Sequence, residues 1–181
     1  LAEGIYYITE SINLRSSMSF TGQGASTVLF IPDQTNPAYL PVIKMSHCVN
    51  TLVSDIKIDG NRDNQASGRE GGFHINGGSH CKIVNTWICN IYGAEGNGIY
   101  VDGEPSDFLI QGNTIENIQD DGMDINGMVK SQIIGNNIHD CGDNGIDTEG
   151  AEYITFSGNV IHDCGGNGLE LEQEEVTPPL T

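Results

Sequence analysis

The sequence predicts an all-β fold, a right-handed parallel β-helix: one single-stranded solenoid of about seven coils of roughly 23 residues. Three observations predict it. First, the segments GNGIYVDG (96–103), DDGMDING (120–127), DNGIDTEG (143–150) and GNGLELEQ (166–173) align, and their central glycines Gly98, Gly122, Gly145 and Gly168 lie 24, 23 and 23 residues apart. Second, a further set, GNTIEN (112–117), GNNIHD (135–140) and GNVIHD (158–163), follows the first three in phase. Third, apolar and polar residues alternate with period two inside each first-set segment, which is the pattern of a half-buried strand. A repeat of this length cannot bury its own apolar face, and stacking one on the next makes the core continuous.

From the N-terminus onward, GIYYI (4–8) and TVLFI (27–31) read as strands of a first, irregular coil. PVIKMS (41–46) and GGFHING (71–77) extend the first set backwards, with longer loops inserted between them. One β-helix domain over 1–181 follows, with irregular early coils in 1–70, regular coils in 71–173 and a tail in 174–181. The expected inward columns are Ile43, Phe73, Ile99, Met123, Ile146, Leu169 and Met45, Ile75, Val101, Ile125, Thr148, Leu171, with Ile115, Ile138 and Ile161 from the second set. Asn113, Asn136 and Asn159, with Asn85 as a fourth member, should form an inward hydrogen-bonded ladder. Trp87 takes the place of Ile115 and is expected in the core. Many glycines and the lack of a long 3.6-residue pattern exclude helices.

Cys141 and Cys164 fall at matching places in adjacent repeats, as do Cys48 and Cys81 in the looser early ones. Strand spacing is within reach of a disulfide, but cysteine is so often buried that an inward thiol stack is the favoured reading.

Seven Lys and Arg face 25 Asp and Glu, a net charge of −18, which argues against nucleic acid, whose binding rests on clustered cations. A polyanionic polysaccharide would also be repelled unless bound cations reverse the local field. No run approaches the roughly 18 apolar residues of a membrane span. The chain opens at Leu1 without Met, which leaves room for a leader or an upstream segment.

The passage LAEGIYYITESINLRSSMSFTGQGASTVLFIP, then VSDIKIDGNR, then the GNxI and NGI coils, resembles the pectate-lyase-like right-handed β-helix superfamily over essentially the whole chain. The resemblance implies the fold strongly and an activity only broadly, since polysaccharide lyases, alginate epimerases, glycosidases and phage tailspikes share it. It also implies a polysaccharide partner and an extracellular or cell-surface location. The superfamily's N-terminal capping helix is missing, so a fragment of a longer protein, or one whose open ends associate end to end, is expected.

The outward residues follow from the inward ones. One column reads Lys44, His74, Tyr100, Asp124, Asp147, Glu170, and the other Ser46, Asn76, Asp102, Asn126, Glu149, Glu172. In the superfamily this sheet often lines the substrate groove, and a rise of about 4.8 Å per coil nearly matches one sugar unit. The first function expected is β-elimination or C5-epimerisation of a uronic-acid glycan, which needs a base, an acid and a cation to hold the carboxylate. Lys44, His74, Tyr100 and Asp124 are the candidate catalytic residues, and Asn76, Asp102, Asn126 and Glu149 the candidate substrate-binding ones. This column is similar in type to the Tyr, His, Asp and basic residue of alginate epimerases, although their YG and DPHE signature has no match here.

A second function is glycoside hydrolysis by paired carboxylates. Asp124 and Asp147 would stand about 5 Å apart, near the retaining spacing, and Asp124 and Glu170 near 9.6 Å, close to the inverting range. Of the polygalacturonase-type signatures only the Asp120-Asp121 dipeptide occurs. A third is a non-enzymatic spike or fibre, suggested by the regular late coils. Calcium is the one candidate cofactor, held by Asp124, Asp147 and Glu170, because Ca²⁺ takes six to eight oxygens; the alternative is a plain solvated acidic face with no cofactor. His139 and His162 recur one coil apart and read as a surface stack rather than a metal pair.

Overall fold

The computed structural model describes residues 1–34, 39–66 and 70–172. Three parallel sheets wind around one core, and the chain visits them in the same order on every turn. The first sheet has seven strands: Gly4–Tyr7, Thr27–Phe30, Lys57–Asp59, Trp87–Ile91, Thr114–Ile118, Asn137–Cys141 and Val160–His162. The second has six: Ile12–Asn13, Leu40–Ser46, Glu70–Asn76, Ile99–Asp102, Met123–Asn126 and Ile146–Glu149. The third also has six, from Ser19–Thr21 to Thr155–Ser157. Two sheets of six strands and one of seven make about six turns rather than seven. The difference lies at the last repeat, where Leu169 and Glu172 make only isolated bridges to Ile146 and Glu149.

The inward columns hold as expected. Ile43, Phe73, Ile99, Met123 and Ile146 pair strand to strand and are completely buried, as are Met45, Ile75, Val101 and Ile125. Each such side chain removed from water contributes about 1.5–3 kcal/mol, so the core is a sum of many equal layers. Leu169 and Leu171 continue the columns in sequence but are 39% and 68% exposed, because no described strand stacks beyond them.

The repeated NGI and DGM glycines are dictated by packing at a corner, not by φ. A Cβ on Gly98 would stand 2.5 Å from the Gly122 carbonyl oxygen and 2.7 Å from Ile115 Cγ2. One coil on, Gly122 meets the Gly145 carbonyl oxygen and Ile138 Cγ2, both at 2.5 Å. The glycines of GNTIEN, GNNIHD and GNVIHD have a different cause: Gly112, Gly135 and Gly158 adopt φ of 66, 63 and 64°, the left-handed region where glycine avoids a steric penalty.

The residue after each of these left-handed glycines enters the ladder. Asn113 Nδ2 donates to Asn136 Oδ1 (2.9 Å), and Asn136 Nδ2 to Asn159 Oδ1 (3.0 Å). Each amide also donates to the carbonyl of Ile83, Ile110 or Ile133, and the carbonyl oxygens of Asn136 and Asn159 accept the backbone N–H groups of Asn113 and Asn136. The fourth member is Thr86, not Asn85: its hydroxyl and its N–H both donate to Asn113 Oδ1. Asn85 instead takes the left-handed position that glycine holds in later coils, with φ 52°. The same one-residue slip puts Ile88 opposite Ile115 in the core and turns Trp87, opposite Thr114, to the outer face.

All five cysteines are free thiols in this structure. Cys141 and Cys164 do stack in register, and Cys48 Sγ donates to the Leu14 carbonyl. Cys48 and Cys81 are not matched in register, since the Val49–Ser79 bridge and the Leu52–Lys82 pair set Cys81 opposite Thr51.

Candidate functional site

The second sheet presents the expected outward strip in register. Lys44 pairs with His74, His74 with Tyr100, Tyr100 with Asp124 and Asp124 with Asp147. Glu170 follows Asp147, set by the bridges on either side of it. Strand pairing places successive members about 4.8 Å apart.

The upper half is aromatic. The His74 ring lies between Tyr39, at 5.9 Å between centroids, and Tyr100, at 5.1 Å. Lys44 Nζ stands 5.8 Å from the centre of the Tyr39 ring. His74 Nε2 is 3.3 Å from Asp102 Oδ1, and Asn76 Nδ2 donates to the same oxygen. Lys44, His74, Tyr100, Asn76 and Asp102 are thus brought together as one cluster. Tyr39 was not anticipated, because it belongs to the loop before Leu40–Ser46 and lies outside the strand alternation.

The lower half is carboxylate. Asp124 Oδ2 accepts from Asn97 Nδ2 (3.0 Å) and Oδ1 from Asn126 Nδ2 (2.9 Å). Burial, followed by the facing Asp147, pushes the Asp124 carboxyl up to about 6 despite these two amides. Asp147 is also raised, by burial and then by Glu170, and its Oδ1 is buried without a hydrogen-bond partner among the described residues. Glu149 lies opposite Asn126 but is exposed, at the margin of this half.

A second ladder runs beside the strip. Asn97 Oδ1 accepts the Asp121 N–H, Asp121 Oδ1 the Asn144 N–H (2.8 Å), and Asn144 Oδ1 the Asn167 N–H (2.7 Å). Asp121 is the one carboxylic acid in this row of amides, and only 7% of it is exposed. Burial, then the nearby Asp120, Asp124 and Asp143, pushes it up to about 7. The signal for this ladder was present as the Asn or Asp before each central glycine.

Among the described residues no three His, Cys, Asp or Glu side chains converge into a group that could hold a metal ion. His139 and His162 stack on the first sheet, 4.9 Å between centroids and 6° from parallel. Each ring Nδ1 is held by the next residue, Asp140 or Asp163, and His139 Nε2 lies 3.2 Å from Glu116.

No curated protein sequence matches the chain. Among solved structures, the catalytic domain of a GH87 alpha-1,3-glucanase in complex with nigerose is similar over 90% of this chain and 32% of its own, with TM-score 0.68 and 19% identity. The catalytic unit of a thermostable GH87 alpha-1,3-glucanase from Streptomyces thermodiastaticus is similar over 99% of this chain and 37% of its own, with TM-score 0.69 and 17% identity. The Azotobacter vinelandii mannuronan C-5 epimerase AlgE4 A-module matches over 91% of this chain and 68% of its own at 16% identity, with a TM-score of only 0.44. The chain spans about a third of the length of the two glucanase domains. At these identities the likeness is one of fold. The profile of the family described as "Right handed beta helix region" matches residues 71–177, more than half of the sequence, and the chain belongs to that family.

Proposed function

We propose that the protein acts on a polysaccharide lying along the outward face of the second sheet, and that the reaction is glycoside hydrolysis centred on Asp124 and Asp147. The observation that carries this reading is the Asp124 carboxyl, held near 6 by burial and by Asp147 and steadied by two amides. A carboxylic acid in that range keeps a usable fraction of its proton near neutral pH and can protonate a glycosidic oxygen. Asp147 is its register partner one strand step away, and a strand spacing of about 4.8 Å is close to the roughly 5–5.5 Å between carboxyls at which a second carboxylate acts as nucleophile in retaining enzymes. The acidic lower half favours a neutral glycan over a uronate, and the alpha-1,3-glucanases that share the fold act on such a polymer. Asn76, Asp102, Asn126 and Glu149 would bind sugar hydroxyls along the strip.

The test is to incubate the chain with neutral glucans, xylan, mannan, alginate and pectate, measuring reducing ends and ultraviolet absorbance separately. Hydrolysis yields reducing ends alone, and Asp124→Asn should lose nearly all of it. Turnover should fall as pH rises through about 6, where Asp124 gives up its proton.

A second reading, lyase or C5-epimerase action on a uronic-acid glycan, is favoured by the upper cluster. There the His74 and Tyr100 rings touch and Lys44 supplies a cation. It predicts an unsaturated, absorbing product or an inverted C5, and loss of either in Tyr100→Phe. Absence of turnover on every polymer would favour a non-enzymatic spike or fibre. Calcium at Asp124, Asp147 and Glu170 belongs to this uronate reading, since a substrate carboxylate would need a bridging cation. An extracellular or cell-surface location goes with any of these glycan readings.

A further inference from the structure

The outer face of the first sheet carries a cleft that the proposed reaction does not use. Residues 60–69 link the first-sheet strand Lys57–Asp59 to the second-sheet strand Glu70–Asn76, whereas residues 142–145 suffice for the same corner late in the solenoid. The described part of this long loop, with a 3₁₀ turn at Arg62–Asn64, stands against the sheet and closes the cleft with Phe30, Asp59 and Asn90.

Its chemistry is specific. Phe30 offers an apolar ring, braced edge-on by Tyr7 at 6.0 Å. Asp59 is fixed as an acceptor by the Asn61 N–H (3.0 Å), Asn90 Nδ2 (2.9 Å) and Lys57 Nζ (3.0 Å). Asn90 Oδ1 accepts from Asn117 Nδ2 (2.7 Å), and Arg62 Nη1 donates to Asn117 Oδ1 (2.8 Å). Asn64 Nδ2 donates to Asn61 Oδ1 at 2.7 Å. Among the described residues Arg62 therefore uses one of its five side-chain N–H donors, and the carboxylate of Asp59 retains lone-pair capacity. Asp59, Asp63 and Asp33, which accepts from Asn61 Nδ2 (2.8 Å), outnumber Lys57 and Arg62 by one charge, so the cleft suits a neutral ligand better than an anion.

We propose that this cleft is a second carbohydrate-binding site, taking one neutral pyranose unit. The ring of Phe30 would cover the C–H face of the sugar, and Asp59, Asn90 and Arg62 would address its hydroxyls. A pyranose has the two properties the cleft matches: one apolar face, and a rim of hydroxyls that both donate and accept. Pre-ordered side chains lower the entropy lost on binding, which suits a small ligand. The site lies on a different sheet from Asp124 and does not depend on the catalytic reading.

The test uses nitrogen-15-labelled chain titrated with laminaritriose, xylotriose and mannotriose up to roughly 10 mM, a range that detects weak single-sugar binding. Amide shifts should centre on residues 59–64 and 90, for at least one of the three. Phe30→Leu, which keeps apolar volume and loses the ring face, should weaken that binding tenfold or more, as should Arg62→Gln. Asp124→Asn should leave it unchanged while losing any turnover. Shifts confined to the Lys44–Asp124 strip, equal affinity in both cleft variants, or no shift with any of the three sugars would each overturn the proposal.

Discussion

Replacing Asp121 by Asn should stabilise the protein at high pH and leave it nearly unchanged at low pH. Asp121 occupies a ladder position that Asn97, Asn144 and Asn167 hold in neighbouring coils, so an amide fits there without repacking. Its side-chain oxygen could accept the Asn144 N–H as the carboxylate does now. One coil earlier, Asn97 donates to Asp124, and an amide at 121 has the same relation to Asp147, whose buried Oδ1 lacks a donor among the described residues. The sign follows from proton binding. The folded chain holds a proton on Asp121 up to about pH 7, which the unfolded chain releases near its ordinary 3.8. Stability therefore falls as pH rises through that window and is unaffected below it. At about 1.4 kcal/mol per pH unit the ceiling is ~4 kcal/mol, and relaxation around the charge brings the expected gain for Asp121→Asn at pH 8 to ~2–4 kcal/mol. For a chain of this size that corresponds to roughly 5–15 °C in Tm. Calorimetry of both proteins at pH 4 and pH 8 measures it. An equal change at the two pH values, or a loss at pH 8, would refute the reasoning.

Other outcomes follow from the same framework. Asn136→Ala should cost about 1–3 kcal/mol in urea unfolding, because it strands the Asn113 N–H and the Ile110 carbonyl in a buried row. Gly122→Ala should cost more than Gly135→Ala: the first drives a methyl into the Gly145 carbonyl at 2.5 Å, whereas the second meets nothing within 4 Å and bears only a left-handed φ penalty of about 1 kcal/mol. If the two glycine variants unfold at the same urea concentration, the corner contact is not what selects glycine. On the uronate reading alone, calcium at millimolar concentration held by Asp124, Asp147 and Glu170 should raise Tm in the wild type and fail to do so in Asp147→Asn, and no rise in the wild type would leave the strip a solvated acidic face. A rise of equal size in both would place the ion elsewhere.

Much of this architecture could be read from residues alone, because inward and outward positions alternate without choice once the period is known. The columns from Ile43 to Ile146 and from Lys44 to Asp147 both emerged that way. What escaped did so for local reasons. Asn85 and Gly112 both adopt the left-handed turn, so matching Asn85 to Asn113 by residue type displaced Trp87 by one place and reversed its face. The Asn97–Asp121–Asn144 ladder was overlooked because Asn and Asp before glycine are also ordinary turn residues, and nothing in a single repeat separates the two uses. Tyr39 and the cleft around Arg62 depend on loops, whose paths are set by contacts between coils and not by periodicity. The raised carboxyls were likewise beyond reach, since charge counting says nothing about burial.

The corner glycines carry a consequence for any repeating ligand. The carbonyl seated against each corner glycine keeps adjacent coils from moving closer, and its hydrogen bond from the neighbouring coil's Ile99 or Met123 N–H keeps them from moving apart, so the outward residues behave as graduations on a stiff scale. A polymer whose own repeat differs even slightly from the coil rise matches the scale well at one point and drifts out of step on either side, as two rulers with unequal divisions do. Contact length then stops adding affinity after a few units, and the strip would select where along a chain to hold it more sharply than how much of it to hold.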